Sequence, residues 1–256
     1  MSQGISPYFL SSEEIQSVIK KEVLVKLKDT RVDELYFYGT GLGALSNVKM
    51  MESTLKKIFR GTYIKAGTDI LAASRALCGH NKGIACILGT GSNSCYFDGK
   101  KITKNSPGLG FILGDEGSGA YLGRKVIQHY LYKTFDEDLN FSFEKKYNTS
   151  AAEILDAVYR KPLPNRYLAS FSIFLSENRG HFMVENIIED SFNDFFFQHL
   201  CKYRESWLYP VHFTGSIAYI FRDVLKNICH SYEMEAGNIY RQPMEGLVKY
   251  HALGKV

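Results

Sequence analysis

The sequence has no long apolar run and no cysteine motif, and these absences exclude several classes of protein. No apolar run approaches the roughly 18 residues needed to cross a bilayer, and the first residues lack the basic-then-apolar order of a signal peptide. The five cysteines include no Cys-x-x-Cys pair, which argues against a zinc site, a disulfide framework and an iron–sulfur cluster. Unpatterned cysteines in odd number favour a reducing compartment, so the sequence predicts a cytoplasmic protein without a membrane segment.

An excess of charge of one sign is also lacking. The net charge is +4, from 31 Lys and Arg against 27 Asp and Glu, and the lysine doublets are scattered along the chain. A surface that binds nucleic acid needs a concentrated basic patch, so the sequence predicts no nucleic-acid partner. The hydrophobic share of 45% and the charged share of 23% are typical of a packed globular protein.

Glycine, in contrast, is concentrated between Gly83 and Gly119. Residues 84–88 form an apolar run that predicts a buried strand, and a small polar turn separates it from a second strand that ends at Phe97. A glycine-rich turn between strands exposes backbone N–H groups that suit a phosphate or a sugar hydroxyl. On the turn alone, a tight hairpin without a ligand is an equally good interpretation.

A second group of glycines surrounds Asp115, Glu116 and Ser118, just before a helix-like pattern that begins at Ala120. Asp115 or Ser118 is suited to cap that helix. Asp115 and Glu116 are also equally able, by their chemistry, to bind sugar hydroxyls or to act on Mg²⁺ through water. The residues alone therefore leave the roles of both carboxylates open.

Strands and helices alternate in the remainder of the chain, which indicates a partly parallel sheet covered by helices. A buried strand at Leu35–Tyr38 and a short strand at Tyr63–Lys65 each precede a predicted helix, and Thr68 or Asp69 is placed to cap the second of these helices. Near the end of the chain, a strand leads into a Gly-Ser turn and a helix, and a terminal helix is predicted at Met244–His251.

Three segments together, Gly89–Asn93, Gly114–Ser118 and Thr68–Asp69, resemble motifs of the N-acetylglucosamine kinase and BadF/BadG/BcrA/BcrD ATPase family. This family belongs to the superfamily of sugar kinases, Hsp70 and actin, and the likeness follows the motif order over nearly the whole chain. It implies an α/β protein of two ribonuclease H-like lobes with a cleft between them, the actin-like ATPase fold. The expected divisions are an N-terminal lobe 1–78, a C-terminal lobe 79–242 and a terminal helix 243–256 that returns to the first lobe.

The resemblance also implies an activity, the ATP- and Mg²⁺-dependent phosphorylation of an amino sugar, with N-acetylglucosamine converted to its 6-phosphate. In the family the aspartate at the position of Asp69 is the general base that accepts the hydroxyl proton, and helix capping is its competing role. A homodimer is an option left open. The implied substrate-binding residues are Thr68, Asn93, Gly114 and Asp115, and the implied nucleotide-binding residues are Gly89, Thr90, Gly91, Ser92, Gly215 and Ser216.

One family motif is not found. Members open with a strand carrying Asp-x-Gly-(Gly/Ser)-Thr-(Lys/Ser)-Thr, whose turn wraps the phosphates and whose aspartate helps to hold magnesium. Because this sequence has no such motif, the resemblance leads us to expect a first lobe truncated at its N-terminus, and it leaves the metal ligands unknown. Loss of that electrostatic clamp would remove much of the transition-state stabilisation.

Three hypotheses about function follow. The first is the sugar kinase, and the second is a non-catalytic sugar-binding or regulatory protein of the same fold. The third is a fragment with no stable function. Asp69, Asn93 and Asp115 favour the first two, because the proposed sugar-site residues occur together. The motifs do not determine which sugar is bound, so glucosamine and an anhydro-sugar stay open beside N-acetylglucosamine.

Overall fold

The computed structural model describes residues 4–8, 10–28, 30–106 and 108–253. The chain divides into two compact units, Met1–Ala72 and Ala73–Val256. The terminal helix belongs to the second unit, and the lobe boundary at residue 78 and the return of that helix to the first lobe stay predictions. No helix among the described residues is long and apolar enough to cross a membrane.

In the first unit, two parallel strands are paired from Glu34↔Tyr63 to Gly39↔Thr68. They are β1 (Glu34–Gly39) and β2 (Tyr63–Thr68). The helical segments are α1 (Ser12–Ile19), a π-helical turn (Lys20–Leu24), α2 (Val25–Leu27) and α3 (Leu45–Ile58). We predicted a buried strand at Leu35–Tyr38, but β1 is only half-buried, because its sheet has a single partner strand within the described residues.

Helix α1 begins where its local sequence predicts. Ser11 accepts a hydrogen bond from the Glu14 N–H group, and the Glu14 carboxylate accepts one from the Ser11 N–H group at 2.8 Å, so a complete capping box fixes the helix start. Ile15 and Ile19 of α1 are buried with Met51 and Leu55 of α3 and with Ile64 of β2. The first unit therefore has a hydrophobic core of its own.

Five strands of the second unit form one mixed sheet with the order β5-β4-β3-β6-β7. The central strand β3 is antiparallel to β4 and parallel to β6; β4 is antiparallel to β5, and β6 is parallel to β7. This is the α/β arrangement of a ribonuclease H-like lobe, as the resemblance implied. The strands are β3 (Gly83–Leu88), β4 (Ser92–Phe97), β5 (Ile102–Ser106), β6 (Val211–Thr214) and β7 (Ala236–Tyr240).

Helices precede, separate and follow these strands. Helix α4 (Asp69–Cys78) begins in the first unit and leads towards β3. The others are α5 (Gly110–Leu113), α6 (Gly119–Leu131), α7 (Glu137–Tyr147), α8 (Ala151–Tyr159), α9 (Pro164–Ser170), α10 (Ser172–Glu177), α11 (Phe182–Phe195), α12 (Ser216–Ile220), α13 (Arg222–Ser231) and α14 (Met244–Leu253). A π-helical turn (Phe196–Leu200) follows α11, and a 3₁₀ turn (Arg204–Trp207) follows it.

The core of the second unit is rich in phenylalanine. The buried side chains of α11 and the π-helical turn after it include Val184, Ile187, Ile188, Phe192, Phe195 and Phe196. We predicted a single helix after Gly215, whereas the structure breaks it at the fully buried Phe221, where φ is −103° and ψ is 30°. Burial of each large apolar side chain stabilises the folded state by about 1.5–3 kcal/mol. This core therefore stabilises the sheet whose strand ends carry the predicted site residues.

Candidate functional site

The glycine-rich turn between β3 and β4 is hydrogen-bonded to the start of α6. The Gly89 carbonyl accepts from the Gly119 N–H group at 2.8 Å, and the Thr90 carbonyl accepts from the Ala120 N–H group at 3.0 Å. The first N–H groups of α6 are thereby satisfied within the protein. No hydrogen bond among the described residues uses the N–H groups of Thr90 and Gly91, so the turn keeps two backbone donors for a ligand.

The Gly215 turn lies directly against this hairpin. Gly215 has φ +122°, and a β-carbon there would lie 2.2 Å from the Leu88 carbonyl oxygen, so only glycine fits. The Gly215 N–H group also donates to the Tyr240 carbonyl at 3.1 Å. The ends of β3, β6 and β7 therefore meet, and the structure brings together the residues predicted to bind nucleotide, Gly89, Thr90, Gly91, Ser92, Gly215 and Ser216.

Two buried hydroxyl groups lie at these turns without a partner. They are Ser92 Oγ at the start of β4 and Thr214 Oγ1 at the end of β6, and neither makes a hydrogen bond within the described part of the chain. Buried polar atoms of native proteins are nearly always satisfied by protein, water or ligand. The two hydroxyls and the two spare N–H groups are donors of the kind that phosphate oxygens accept. Thr214 was not predicted, because a threonine at a strand end has no sequence signature.

A cavity of about 670 Å³ adjoins the Gly215 turn within the second unit. Tyr240 and Tyr219 line it. The Tyr240 carbonyl accepts from the Gly215 N–H group, and the Tyr219 N–H group donates to the Gly215 carbonyl. Its other side chains include the basic groups of Arg75, Arg241 and Lys249. Rings combined with basic groups suit a ligand that has both an aromatic part and phosphates. Sequence patterns did not predict this cavity, because its walls come from distant segments.

Asp115 lies beside the hairpin. Its Oδ1 accepts from the Ser92 N–H group at 3.3 Å, and a β-carbon on Gly91 would lie 2.9 Å from its Oδ2. Burial raises the pKa of Asp115, and the Ser92 N–H group partly opposes this rise. Asp115 also has φ +58°, a conformation that non-glycine residues rarely adopt. Backbone strain of this kind is common at functional sites.

The structure separates the alternative roles of the neighbouring polar groups. Ser118 is the cap of α6, because its Oγ accepts from the Tyr121 N–H group at 3.2 Å. Asp115 therefore has no capping role. The Glu116 carboxylate instead pairs with His199, with 3.0 Å between Oε2 and Nε2. Gly114 is tightly packed, since a β-carbon there would lie 3.1 Å from Leu109 Cβ.

Asn93 follows Ser92 on β4 and is half-buried. Its Oδ1 accepts from its neighbour's N–H group on Ser94 at 2.9 Å and from Asn105 Nδ2 at 3.0 Å. The side-chain nitrogen Nδ2 of Asn93 has no hydrogen bond among the described residues. The arrangement fixes the side chain and leaves its NH₂ group as a donor for a ligand hydroxyl.

Thr68 and Asp69 lie in the first unit, at the junction of β2 and α4. Thr68 is the cap, because its Oγ1 accepts from the Leu71 N–H group at 3.2 Å. Asp69 Oδ1 accepts from the Ile70 N–H group at 2.8 Å, and no hydrogen bond in the described chain uses its Oδ2. Burial raises the pKa of Asp69, while the Ile70 N–H group opposes the rise. The competing capping role is thus filled by Thr68.

Metal-binding clusters were sought among the same residues. No group of three or more His, Cys, Asp or Glu side chains in the described ranges is placed to hold a metal ion. The five cysteines are all free thiols. The carboxylate oxygens of Asp115 and Glu116 are hard donors of the kind that Mg²⁺ accepts through water.

Comparisons with known proteins agree with this geometry. The sequence matches no protein-family model and no curated protein. The structure is similar to that of a candidate N-acetylglucosamine kinase from Porphyromonas gingivalis, with a TM-score of 0.95 and 40% identity over 99% of this chain and 90% of that one. A candidate N-acetylglucosamine kinase from Chromobacterium violaceum has the same fold, with a TM-score of 0.67 and 16% identity over 93% of this chain and 82% of that one.

Proposed function

This chain belongs to the N-acetylglucosamine kinase family of actin-like sugar kinases, and on that premise we propose that it transfers the γ-phosphoryl group of ATP to the 6-hydroxyl of an amino sugar. N-acetylglucosamine is the substrate that we favour. The observation that carries the proposal is the Asp115 carboxylate, which is held in a strained conformation against a glycine turn with spare N–H donors. We expect the reaction to take place in the cytoplasm.

The sugar is bound by Asn93 and Asp115 in this proposal. The NH₂ group of Asn93 donates to one ring oxygen, and the Asp115 carboxylate accepts from two neighbouring hydroxyls. Gly114 is packed tightly against Leu109, and this packing limits the movement of the backbone that leads into Asp115. The raised pKa of Asp115 adds no obstacle, since a carboxyl group in either protonation state can hydrogen-bond a hydroxyl.

The nucleotide phosphates lie at the two turns. The N–H groups of Thr90 and Gly91, and the hydroxyls of Ser92 and Thr214, donate to phosphate oxygens, while Gly215 allows close approach of the backbone. Ser216 begins α12 and adds the favourable end of a helix. We place the aromatic base towards Tyr219 and Tyr240 in the adjoining cavity. Bound ATP would supply the phosphoryl donor, and Mg²⁺ would neutralise the charge of its phosphates. The alternative role of Asp115 is to hold that ion through water instead of holding the sugar.

Asp69 accepts the proton of the attacking hydroxyl as the new bond to phosphorus forms. An alcohol is a poor nucleophile until its proton has an acceptor. The Ile70 N–H group orients the carboxylate and leaves Oδ2 for the substrate. Thr68 supports this role, because its hydroxyl accepts from Leu71 and keeps its own hydrogen to donate to the sugar.

The test is the Asp69→Asn variant, which keeps the shape of the side chain and removes the base. We expect kcat to fall by about 10³-fold or more and the Kd for N-acetylglucosamine, measured by calorimetry, to change less than about threefold. Asp98→Asn is the matched control, because Asp98 is only half-buried in the β4–β5 turn and accepts from the backbone N–H groups of Lys100 and Lys101. It should leave both constants unchanged.

Two results test the function, and a third identifies the substrate. Turnover of Asp69→Asn at the wild-type rate would exclude Asp69 as the base. Sugar binding by a wild-type protein that never consumes ATP would favour the non-catalytic sugar-binding protein. The same assay with glucosamine and an anhydro-sugar ranks the substrates, because each lacks a group that N-acetylglucosamine presents.

A further inference from the structure

The buried His199 and the half-buried Glu116 form a pair that the proposed reaction does not use. His199 Nε2 lies 3.0 Å from Glu116 Oε2, and the two side chains are 6% and 18% exposed. His199 Nδ1 is buried and has no partner among the described residues. A proton on Nδ1 would be a buried donor without an acceptor, which is costly. The geometry therefore favours a ring proton on Nε2 that is donated to the Glu116 carboxylate.

The backbone around His199 departs from a regular helix. Helix α11 ends at Phe195 and continues as the π-helical turn Phe196–Leu200, which contains His199. Single π-turns of this kind change the direction of the following side chains and are frequent at functional sites. The ring stacks on Phe195 with 4.9 Å between centroids. The imidazole is thus held in one orientation by packing.

Glu116 sits between two residues in the left-handed conformation. Asp115 has φ +58° and Gly117 has φ +69°. A β-carbon on Gly117 would lie 3.0 Å from Phe195 Cβ, so this segment runs directly against α11. A positive φ is uncommon for a non-glycine residue, although aspartate adopts it more readily than most, and it is retained where the surrounding structure supports it.

The hydrogen bonds to Asp115 itself are modest. Its carboxylate accepts from Ser92 at 3.3 Å, and its carbonyl accepts from the Ser118 N–H group at 3.1 Å. The Glu116–His199 pair adds a largely buried hydrogen bond to a carboxylate immediately beside it, and hydrogen bonds to charged groups are stronger than those between neutral groups. This bond ties the segment 114–118 to the π-helical turn that follows α11.

We propose that His199 is a positioning residue, which through its hydrogen bond to Glu116 holds Asp115 in the conformation that binds the sugar. This inference rests on the proposed function, because it assigns Asp115 to the sugar. Without the His199 donor, the half-buried Glu116 carboxylate loses the hydrogen bond that holds it and turns towards solvent. The backbone of residues 114–118 moves with it, and the Asp115 carboxylate leaves the Gly91–Ser92 turn.

The test compares two substitutions of His199. His199→Phe keeps the stacking on Phe195 and removes the donor, whereas His199→Gln offers an amide NH₂ close to the position of Nε2. We expect His199→Phe to raise the Kd for N-acetylglucosamine about tenfold, with the KM for ATP within about twofold of wild type. For His199→Gln, we expect the Kd for N-acetylglucosamine and the KM for ATP to stay within about threefold of the wild-type values.

A second histidine–carboxylate pair provides the matched control. His181 Nε2 lies 2.7 Å from Asp136 Oδ2, at the opposite end of α11. His181→Phe makes the same chemical change away from Asp115, so it should leave the Kd for the sugar unchanged even where it lowers the stability of the fold. Equal weakening of sugar binding by both phenylalanine variants would overturn the proposal.

Hydrogen exchange of the unliganded protein gives a readout that needs no activity. His199→Phe should speed exchange at the amides of residues 114–118 about tenfold, and His181→Phe should not. Wild-type exchange at this segment in His199→Phe, or failure of His199→Gln to restore sugar affinity, would contradict the inference. A wild-type protein that binds the sugar without turnover would refute only the kinase, whereas one that binds no amino sugar would refute the role given to Asp115 as well.

Discussion

At the scale of single residues, the environment of each carboxylate distinguishes its role. Asp115 and Glu116 are neighbours with the same chemistry, yet one lies on the Gly91–Ser92 turn and the other on a buried histidine. The roles of Thr68 and Asp69 are distinguished in the same way. Thr68 caps α4, and Asp69 Oδ2 has no hydrogen bond among the described residues. The roles assigned to Asp69 and Asp115 stay proposals that these contacts support.

His212 provides a prediction about pH. It lies on β6, and its Nδ1 accepts from the Asn238 N–H group of β7 at 2.8 Å. Burial lowers the pKa of His212 to about 4, below the usual value of about 6.5. Between these values the unfolded chain binds more protons than the folded one, so stability is lost as the pH falls from about 6.5 to about 4. The loss should reach about 3 kcal/mol.

The His212→Asn variant isolates this effect. Its Oδ1 can accept from Asn238 in place of Nδ1 and does not titrate. We expect the free energy of unfolding of the variant, measured by urea denaturation at several pH values, to vary less between pH 6.5 and 4 than that of the wild type. Identical pH dependence of the two proteins would show that His212 is not the group responsible.

Local signals predicted several residues correctly, and long-range contacts account for those that were missed. Ser118 was one of two predicted caps of α6, because capping depends on a spacing of a few residues. His199 and Thr214 gave no signal, since their importance depends on partners far away in sequence. The sequence ranked Asp115 and Glu116 equally for the same reason.

At the scale of elements, close approach of backbones explains several glycines. Gly123 lies inside α6, where α6 meets α9, and a β-carbon there would lie 1.8 Å from the Leu168 carbonyl oxygen. In an ordinary helix interior, alanine is more stable than glycine by roughly 0.5–1 kcal/mol. At Gly123 the clash with backbone reverses that preference, because neither helix can yield without loss of core packing.

We expect Gly123→Ala to lower the free energy of unfolding by about 2–3 kcal/mol, measured from the midpoint of a denaturant transition with unchanged slope. Gly43→Ala is the control, because a β-carbon there meets no atom within 4 Å. Its stability should stay within about 0.5 kcal/mol of wild type. An unchanged midpoint for Gly123→Ala would contradict the close contact between α6 and α9.

Some boundaries of the helices depend on neighbouring residues, and others depend on contacts with distant elements. Capping boxes at Ser11–Glu14 and Ser150–Glu153 fix the starts of α1 and α8, and each depends only on residues three positions apart. The break at Phe221 and the π-helical turn at Phe196–Leu200 were not predicted. Both depend on how large buried rings pack against other elements, which hydrophobic periodicity does not report.

At the scale of the whole molecule, the fold was predicted from motif order, and the comparisons confirm the family. The strand order β5-β4-β3-β6-β7 brings three strand ends to one edge, and this explains why turns more than 120 residues apart in sequence share a site. The cavity beside Gly215 depends on that topology and was therefore missed. The lobe boundaries, the homodimer and the identity of the sugar stay predictions.

Phosphorus NMR of the chain mixed with ATP, Mg²⁺ and N-acetylglucosamine tests the central claim most directly. We predict that a phosphomonoester signal and the signals of ADP grow together, in equal amounts, only when all three components are present. Without the sugar, the ATP signals should persist. A protein that is folded by circular dichroism, yet forms no sugar phosphate from any of the amino sugars tested, would contradict the account.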